Sequence, residues 1–138
     1  MNEYDSHLVE SLLISAGFEK TEDEKGADIV ILNTCSVRQH AEERALGRIR
    51  SVSSAGKRQE IAVIGCMAQR MGDELLSVNR DVKYVLGTDS FYKIAEILKS
   101  GNGNHIVDIS CREEPFDYES KPSGHSLSDY VTIMRCCD

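Results

Sequence analysis

Two cysteines follow runs of apolar residues, and thiols in such positions can bind soft metals. Cys35 comes shortly after the run 29–32 in the stretch ILNTC, and Cys66 comes directly after the run 61–65 in the stretch VIGC. Both runs are rich in β-branched side chains, which favour buried β-strands. Ligands of open α/β sheets bind beyond the carboxyl ends of the strands. The two thiols are therefore predicted to lie at the functional edge of one sheet.

A shared metal centre requires that the two strands be neighbours. Neighbouring strands lie about 5 Å apart, so Cys35 and Cys66 would then reach one metal. Thiolates at such an edge favour zinc or an iron–sulfur cluster. Two thiols are too few for either, so a third ligand must come from elsewhere. Spacing alone leaves open the alternative that both are unrelated thiols buried as small apolar residues.

A cysteine nucleophile is a second hypothesis. The stretch VIGCMA also has the pattern of the strand–turn–helix elbow that exposes a nucleophile in hydrolases. Such a thiol needs a base beside it. None of the histidines is predicted to lie beside Cys66, although His40 follows Cys35 on the next helix; the others are His7, His105 and His125.

The segments that position these cysteines alternate between strands and helices. Strands are predicted at 29–32, 61–65, 83–87 and 105–110. Helices are predicted from Asp5 or Ser6 to Gly17, from just after Cys35 to Gly56, near 73–76, and over 88–101. This order predicts an α/β fold with a parallel sheet flanked by helices and joined by right-handed crossovers.

Composition narrows the class of protein. The chain has 138 residues, of which 41% are apolar and 28% are charged, as is typical of a soluble domain. Its formal net charge of −7 argues against binding nucleic acid mainly through phosphates. We find no pattern of a membrane span or a signal peptide, so a cytoplasmic location without membrane association is expected. Five cysteines, an odd number, do not favour a disulfide framework.

The chain divides into three predicted regions. Residues 1–111 form the α/β domain, and residues 112–128, which contain both prolines and no apolar periodicity, form a linker. Residues 129–138 contain YVTIMR, the predicted first strand of another domain. Because an α/β unit of this kind normally opens with a strand, and this one opens with a helix, we expect the first strand to be missing and the chain to be a fragment.

Four stretches in order together resemble the radical-SAM methylthiotransferases. They are MNEYDS at 1–6, NTCSVRQHAEERALGRI at 33–49, GCMAQR at 65–70 and YVTIMRCCD at 130–138. The likeness extends over the whole chain. Within that family it is most similar to the branch that methylthiolates isopentenyl-modified adenosine next to the anticodon of tRNA.

The resemblance implies an amino-terminal α/β domain whose three cysteines bind an auxiliary [4Fe–4S] cluster implicated in sulfur donation. It also implies a radical-SAM barrel, where a CxxxCxxC motif binds a second [4Fe–4S] cluster that cleaves S-adenosyl-L-methionine. On this likeness Cys35 and Cys66 match two auxiliary ligands, and Cys137 matches the first cysteine of the radical-SAM motif. The implied partners of the full-length enzyme are tRNA and donors of sulfur and electrons, and a monomer is expected.

The chain also departs from the family pattern. The family's first auxiliary ligand falls before Met1, and its radical-SAM motif extends beyond Cys137. Two thiols leave two irons without protein ligands, so we expect the isolated chain to bind the cluster weakly or not at all and to be inactive. Cys136 stands where the family has glycine, and Cys111 matches no ligand. The alternatives to an enzyme domain of this family are a non-catalytic α/β interaction domain and, more weakly, a cysteine hydrolase.

Polar side chains beside the two cysteines are candidates for contacts with the cluster or the substrate, because hydrogen bonds from surrounding groups tune such clusters. Those near Cys35 are Asn33, Thr34 and Arg38, and those near Cys66 are Gln69 and Arg70. Helix capping and surface charge explain these residue types equally well.

Overall fold

Four parallel strands form the sheet of this protein, whose computed structural model describes residues 2–36, 39–52, 59–101 and 104–111. The strands are β1 (Ile29–Thr34), β2 (Glu60–Gly65), β3 (Val82–Leu86) and β4 (Ile106–Asp108), and they lie side by side in sequential order. The predicted α/β class with a parallel sheet is confirmed. The predicted linker, 112–128, and the predicted start of a second domain, 129–138, lie outside the described residues.

Five α-helices within the described residues connect and cover the strands. They are α1 (Asn2–Ser15), α2 (Gln39–Val52), α3 (Cys66–Met71), α4 (Glu74–Val78) and α5 (Ile94–Ser100), and a 3₁₀ turn at Phe91–Lys93 leads into α5. The predicted cap at Asp5 or Ser6 is wrong, because α1 begins at Asn2 and contains both residues. Within the described ranges, no helix combines the length and the apolar character that crossing a membrane requires.

Alternate residues of β2 pack against opposite layers of helices. Ile61 and Val63 belong to a buried cluster with side chains of α2, α3 and α4. Ala62 and Ile64 belong to a second buried cluster with side chains of α1 and α5. Full burial of a large aliphatic side chain stabilises a fold by about 1.5–3 kcal/mol. β2 is therefore held from both sides, which explains why its sequence is apolar without alternation.

The helices are distributed unevenly over the two faces of the sheet. The first two crossovers run through α2 and then through α3 and α4, all on one face, whereas the third runs through α5 on the other face. The strand order is sequential, so each crossover moves one position across the sheet in the same direction. Because the third crossover passes over the other face, it has the opposite hand to the first two. The prediction that all crossovers are right-handed is therefore wrong. In this position α5 packs beside α1 and completes the cover of that face.

Candidate metal centre at the carboxyl edge of the sheet

Cys35 and Cys66 leave the sheet side by side. β1 and β2 are directly paired, and their last pair joins Thr34 with Gly65. Each cysteine is the next residue after its member of that pair. Since paired strands lie about 4.8 Å apart, the two backbones emerge next to each other at the carboxyl edge. The requirement that the two strands be neighbours is met, and both thiols are partly buried.

Gly65 determines how the chain passes from β2 into α3. Its φ of 96° lies in a region that side-chain-bearing residues rarely adopt. A β-carbon here would lie 2.5 Å from the carbonyl oxygen of Thr34 and 2.9 Å from Oδ1 of Asn33. Gly65 is the residue before α3, and Cys66 is the first residue of that helix. A glycine at this position therefore allows Cys66 to turn away from the strand while remaining beside β1.

Thr34 and Asn33 have described bonds that hold this edge together. Oγ1 of Thr34 is buried and donates a hydrogen bond of 2.7 Å to the carbonyl oxygen of Ile64 on the neighbouring strand. Nδ2 of Asn33 donates to Oγ of Ser6 on α1 at 3.0 Å. These contacts give both residues a structural function. Their predicted contacts with a cluster or a substrate remain predictions.

Gln69 joins α3 to the ends of β3 and β4. Its Nε2 donates to the carbonyl oxygen of Ile109 at 2.7 Å, and its Oε1 accepts from the backbone N–H of Thr88 at 3.2 Å. A β-carbon on Gly87 would overlap this Oε1. Nε2 also lies 3.8 Å from Sγ of Cys111, a weak contact that brings this exposed thiol to the same edge as the other two described cysteines.

The other predicted flanking residues are an arginine on α3 and one outside the described ranges. Arg70 forms an ion pair with Glu42 of α2, and 56% of its side chain is exposed. This pair links two helices on one face of the sheet. Arg38 and Cys137 fall outside the described residues, so their predicted roles stay predictions.

Ser36 is a residue of the edge that the predicted set of site residues does not include. Its hydroxyl oxygen is buried and has no hydrogen-bond partner among the described residues. A buried hydroxyl without a partner is unfavourable, because it has lost its bonds to water without replacing them. The one signal in the sequence is its position directly after Cys35.

A network of polar contacts surrounds Asp108, the last residue of β4, at the same edge of the sheet. Oδ1 of Asp108 accepts hydrogen bonds from the hydroxyl of Ser90 at 2.8 Å and from that of Ser110 at 2.6 Å. Lys93 lies 3.7 Å from Oδ2. Burial by itself would raise the pKa of Asp108, but the bonds from Ser110 and Ser90 and the charge of Lys93 outweigh it. The pKa is therefore held below its ordinary value of 3.8.

The described histidines do not supply the base that a cysteine nucleophile requires. The His40 ring is exposed, and its Nδ1 lies 3.7 Å from Glu43 on the same helix. His105 bonds to the carbonyl oxygen of Val82, at the amino end of β3 and hence at the opposite edge of the sheet. His7 is exposed on α1, and His125 lies outside the described residues. These positions give the hydrolase hypothesis no support.

The carboxyl edge of the sheet is suited to a metal or metal cluster that takes only some of its ligands from the described residues. No three or more His, Cys, Asp or Glu side chains among those residues are arranged to hold a metal ion. Two thiols that follow paired strand ends and a buried hydroxyl donor are nevertheless suited to a sulfur-rich, anionic group such as an iron–sulfur cluster. Cys35 and Cys66 would hold such a group, and a third ligand would have to be added.

Comparison with known proteins identifies the family. The sequence profile described as "Uncharacterized protein family UPF0004" matches residues 1–87, which is more than half of the chain. The chain belongs to this family. The UPF0004 match includes Cys35, Gly65 and Cys66 but ends before Cys111.

Several curated proteins that are similar to this UPF0004 chain share one name. A protein of Fervidobacterium nodosum named tRNA-2-methylthio-N(6)-dimethylallyladenosine synthase is 37% identical, over 100% of this chain and 32% of that protein. Proteins with the same name from a Hydrogenobaculum species and from Rickettsia prowazekii are each 36% identical, over 100% of this chain and 34% of theirs. The predicted relationship to the methylthiotransferases is confirmed. The chain spans about a third of the length of these relatives.

Proposed function

We propose that this chain is the amino-terminal part of an enzyme that methylthiolates isopentenyl-modified adenosine in tRNA. In this proposal Cys35 and Cys66 are two ligands of an auxiliary [4Fe–4S] cluster. Support comes from the UPF0004 match and from the names of the relatives, which include the methylthiolated nucleoside as the product. The observation that carries the proposal is the pairing of Thr34 with Gly65, which places one cysteine after each strand end.

The residues of the edge have distinct tasks in this proposal. Cys35 and Cys66 bind iron as thiolates, and Gly65 gives Cys66 its direction. Thr34 fixes the backbone between the two cysteines through its bond to the carbonyl oxygen of Ile64. When bound, a cluster with an incomplete set of protein ligands supplies an open iron site for sulfur chemistry.

The rest of the reaction is assigned to the remainder of the full-length enzyme. There, Cys137 would be one ligand of the radical-SAM cluster, S-adenosyl-L-methionine would be the co-substrate, and tRNA would be bound with the help of further domains. We propose that Asn33, Thr34, Arg38, Gln69 and Arg70 support the cluster or the substrate. Because the chain spans about a third of its relatives' length, we propose that these 138 residues alone do not methylthiolate tRNA.

Anaerobic reconstitution tests the ligand assignment. The 138-residue chain is incubated with iron and sulfide, with and without 2-mercaptoethanol as an external third thiolate, and the iron retained through gel filtration is counted. We expect about four irons per chain with the added thiol and far fewer without it, because the proposed site gives the cluster two protein ligands, Cys35 and Cys66.

Three cysteine variants make this test specific. Cys35→Ala and Cys66→Ala are expected to lose the retained iron, whereas Cys111→Ala, which removes an exposed thiol at the same edge, is expected to keep it. Equal iron in all three variants would rule out the proposed ligands. Formation of 5′-deoxyadenosine from S-adenosyl-L-methionine by the purified chain under reducing conditions would contradict the proposal that this part of the reaction belongs to the remainder of the full-length enzyme.

A further inference from the structure

Ser36 directs its hydroxyl into the protein at the point where Cys35 leaves the sheet. The residue as a whole is partly exposed, yet its Oγ is buried and has no hydrogen-bond partner among the described residues. The hydroxyl is therefore turned away from solvent. A side chain that could rotate toward water is held in a position where, within this part of the chain, no acceptor meets it.

Thr34 shows that the same edge can satisfy a buried hydroxyl. Its Oγ1 lies two residues before Ser36 and donates to the carbonyl oxygen of Ile64 at 2.7 Å. Most buried polar side-chain atoms have such a partner, and an exception needs an explanation such as a bound group. Ser36 directly follows Cys35, so a sulfur-rich anion held by that cysteine would supply an acceptor one residue away along the chain.

We infer that the Ser36 hydroxyl donates a hydrogen bond to a sulfur atom of the group bound by Cys35 and Cys66, and so tunes its reduction potential. The inference rests on the proposed cluster site. Hydrogen bonds to cluster sulfurs stabilise the more negative, reduced state and raise the potential. Ser36 is thus a positioning and tuning residue, distinct from the thiol ligands themselves.

Two effects of Ser36→Ala follow, and they have opposite signs. In the chain without metal, the variant removes a buried donor that lacks a partner, so the thermal midpoint should stay the same or rise. In the reconstituted chain, it removes a bond to the cluster, so the potential should fall. A tenfold change in the reduction equilibrium of a one-electron couple corresponds to about 59 mV, and we expect a decrease of about that size.

The experiment uses the 138-residue chain reconstituted with iron, sulfide and 2-mercaptoethanol. Its midpoint potential is measured by anaerobic redox titration, followed through the visible absorbance of the cluster. Ser36→Thr keeps a hydroxyl and should retain the potential of the parent chain. Ser11→Ala is the control, because Ser11 bonds only its own helix at the carbonyl oxygen of His7, 2.9 Å away, in the described contacts.

The redox titration and the thermal midpoints together test the proposed bond from Ser36. A lower potential for Ser36→Ala alone, with an undiminished thermal midpoint of its metal-free form, supports the inference. A cluster that forms with the same potential in Ser36→Ala overturns the inference and leaves the proposed ligands intact. A lower midpoint of the metal-free variant also overturns it, because the hydroxyl would then have a partner within the protein. Failure of every variant and of the parent chain to form a cluster overturns the proposed function and this inference together.

Discussion

The carbonyl oxygen of Thr34 lies 2.5 Å from the position that a β-carbon on Gly65 would occupy. The two residues are the last pair of β1 and β2, so this close approach occurs directly before Cys35 and Cys66. Backbone atoms of β1 cannot move aside as a flexible side chain can. The absence of a side chain at Gly65 is therefore a condition for placing the two thiols together.

Gly65→Ala is expected to reduce the free energy of unfolding by about 2–4 kcal/mol, because it adds a strained positive φ to a backbone clash. The same variant should lower the iron retained after reconstitution, since Cys66 must shift relative to Cys35. Gly47→Ala is the matched control, because Gly47 is exposed within α2 and a β-carbon there meets no atom within 4 Å. It should raise stability by about 0.5–1 kcal/mol. Chemical denaturation measures both, and similar effects of the two substitutions would contradict this account.

Asp108 gives the fold a dependence on pH whose sign follows from its lowered pKa. A carboxyl group with a folded-state pKa below 3.8 stabilises the fold above that ordinary value, and the contribution is lost as the pH falls through the folded-state pKa. Asp108→Asn should therefore cost about 1 kcal/mol at pH 7 and progressively less in acid. Asp73→Asn serves as the control, because Asp73 makes no side-chain cap bond at α4. Thermal unfolding is measured across the pH range. The stability of Asp108→Asn should approach that of the parent chain as the pH falls, whereas Asp73→Asn should show no such trend.

Gln69 and Gly87 should be energetically coupled. A β-carbon on Gly87 overlaps Oε1 of Gln69, so Gly87→Ala must displace that side chain from Thr88 and Ile109. In a Gln69→Ala background this displacement costs nothing further, although a backbone contact of 3.2 Å to Ile109 remains. A double-mutant cycle by chemical denaturation should give an interaction energy of about 0.5–3 kcal/mol. Simple additivity would show that Gln69 does not occupy the space above Gly87.

Arg70 is expected to contribute little to stability through its ion pair. Its side chain is 56% exposed, while that of Glu42 is 21% exposed. Exposed pairs contribute about 0–1 kcal/mol and weaken in salt. Arg70→Ala should therefore lower the free energy of unfolding by less than about 1 kcal/mol, with a smaller effect at high ionic strength. A larger loss that salt does not reduce would indicate a further structural role.

Strands were the most predictable part of this fold. The β-branched runs of β1 and β2 identify the two strands directly, and the position of Cys35 and Cys66 after them identifies the shared edge. The predicted burial holds for β2 but not for β1, whose residues 29–33 are only partly buried because β1 is the outer strand of the described sheet. That β1 and β2 are neighbours could not be read from the sequence, because pairing depends on a crossover through α2 rather than on local residues. The pairing of Thr34 with Gly65 supplies this missing relationship.

Short helices and isolated polar atoms were less predictable, for physical reasons. α3 has six residues between Gly65 and Gly72, too few to show a helical period. Asp5 and Ser6 are residue types that favour the start of a helix, but both lie inside α1, which begins at Asn2. The burial of the Ser36 hydroxyl depends on packing around one atom, and the partners of Gln69 are far away in sequence.

Because Cys35 and Cys66 each follow a residue of the last β1–β2 pair, the distance between their thiols reports the register of the two strands. A slip of β1 against β2 by a single residue would turn alternate side chains to the other face and separate the sulfurs. Cross-linking of Cys35 to Cys66 by a short bifunctional reagent would therefore register only chains whose β1–α2–β2 crossover has closed correctly. During refolding, the rate of acquiring this cross-link would time a non-local step that helix formation cannot reveal.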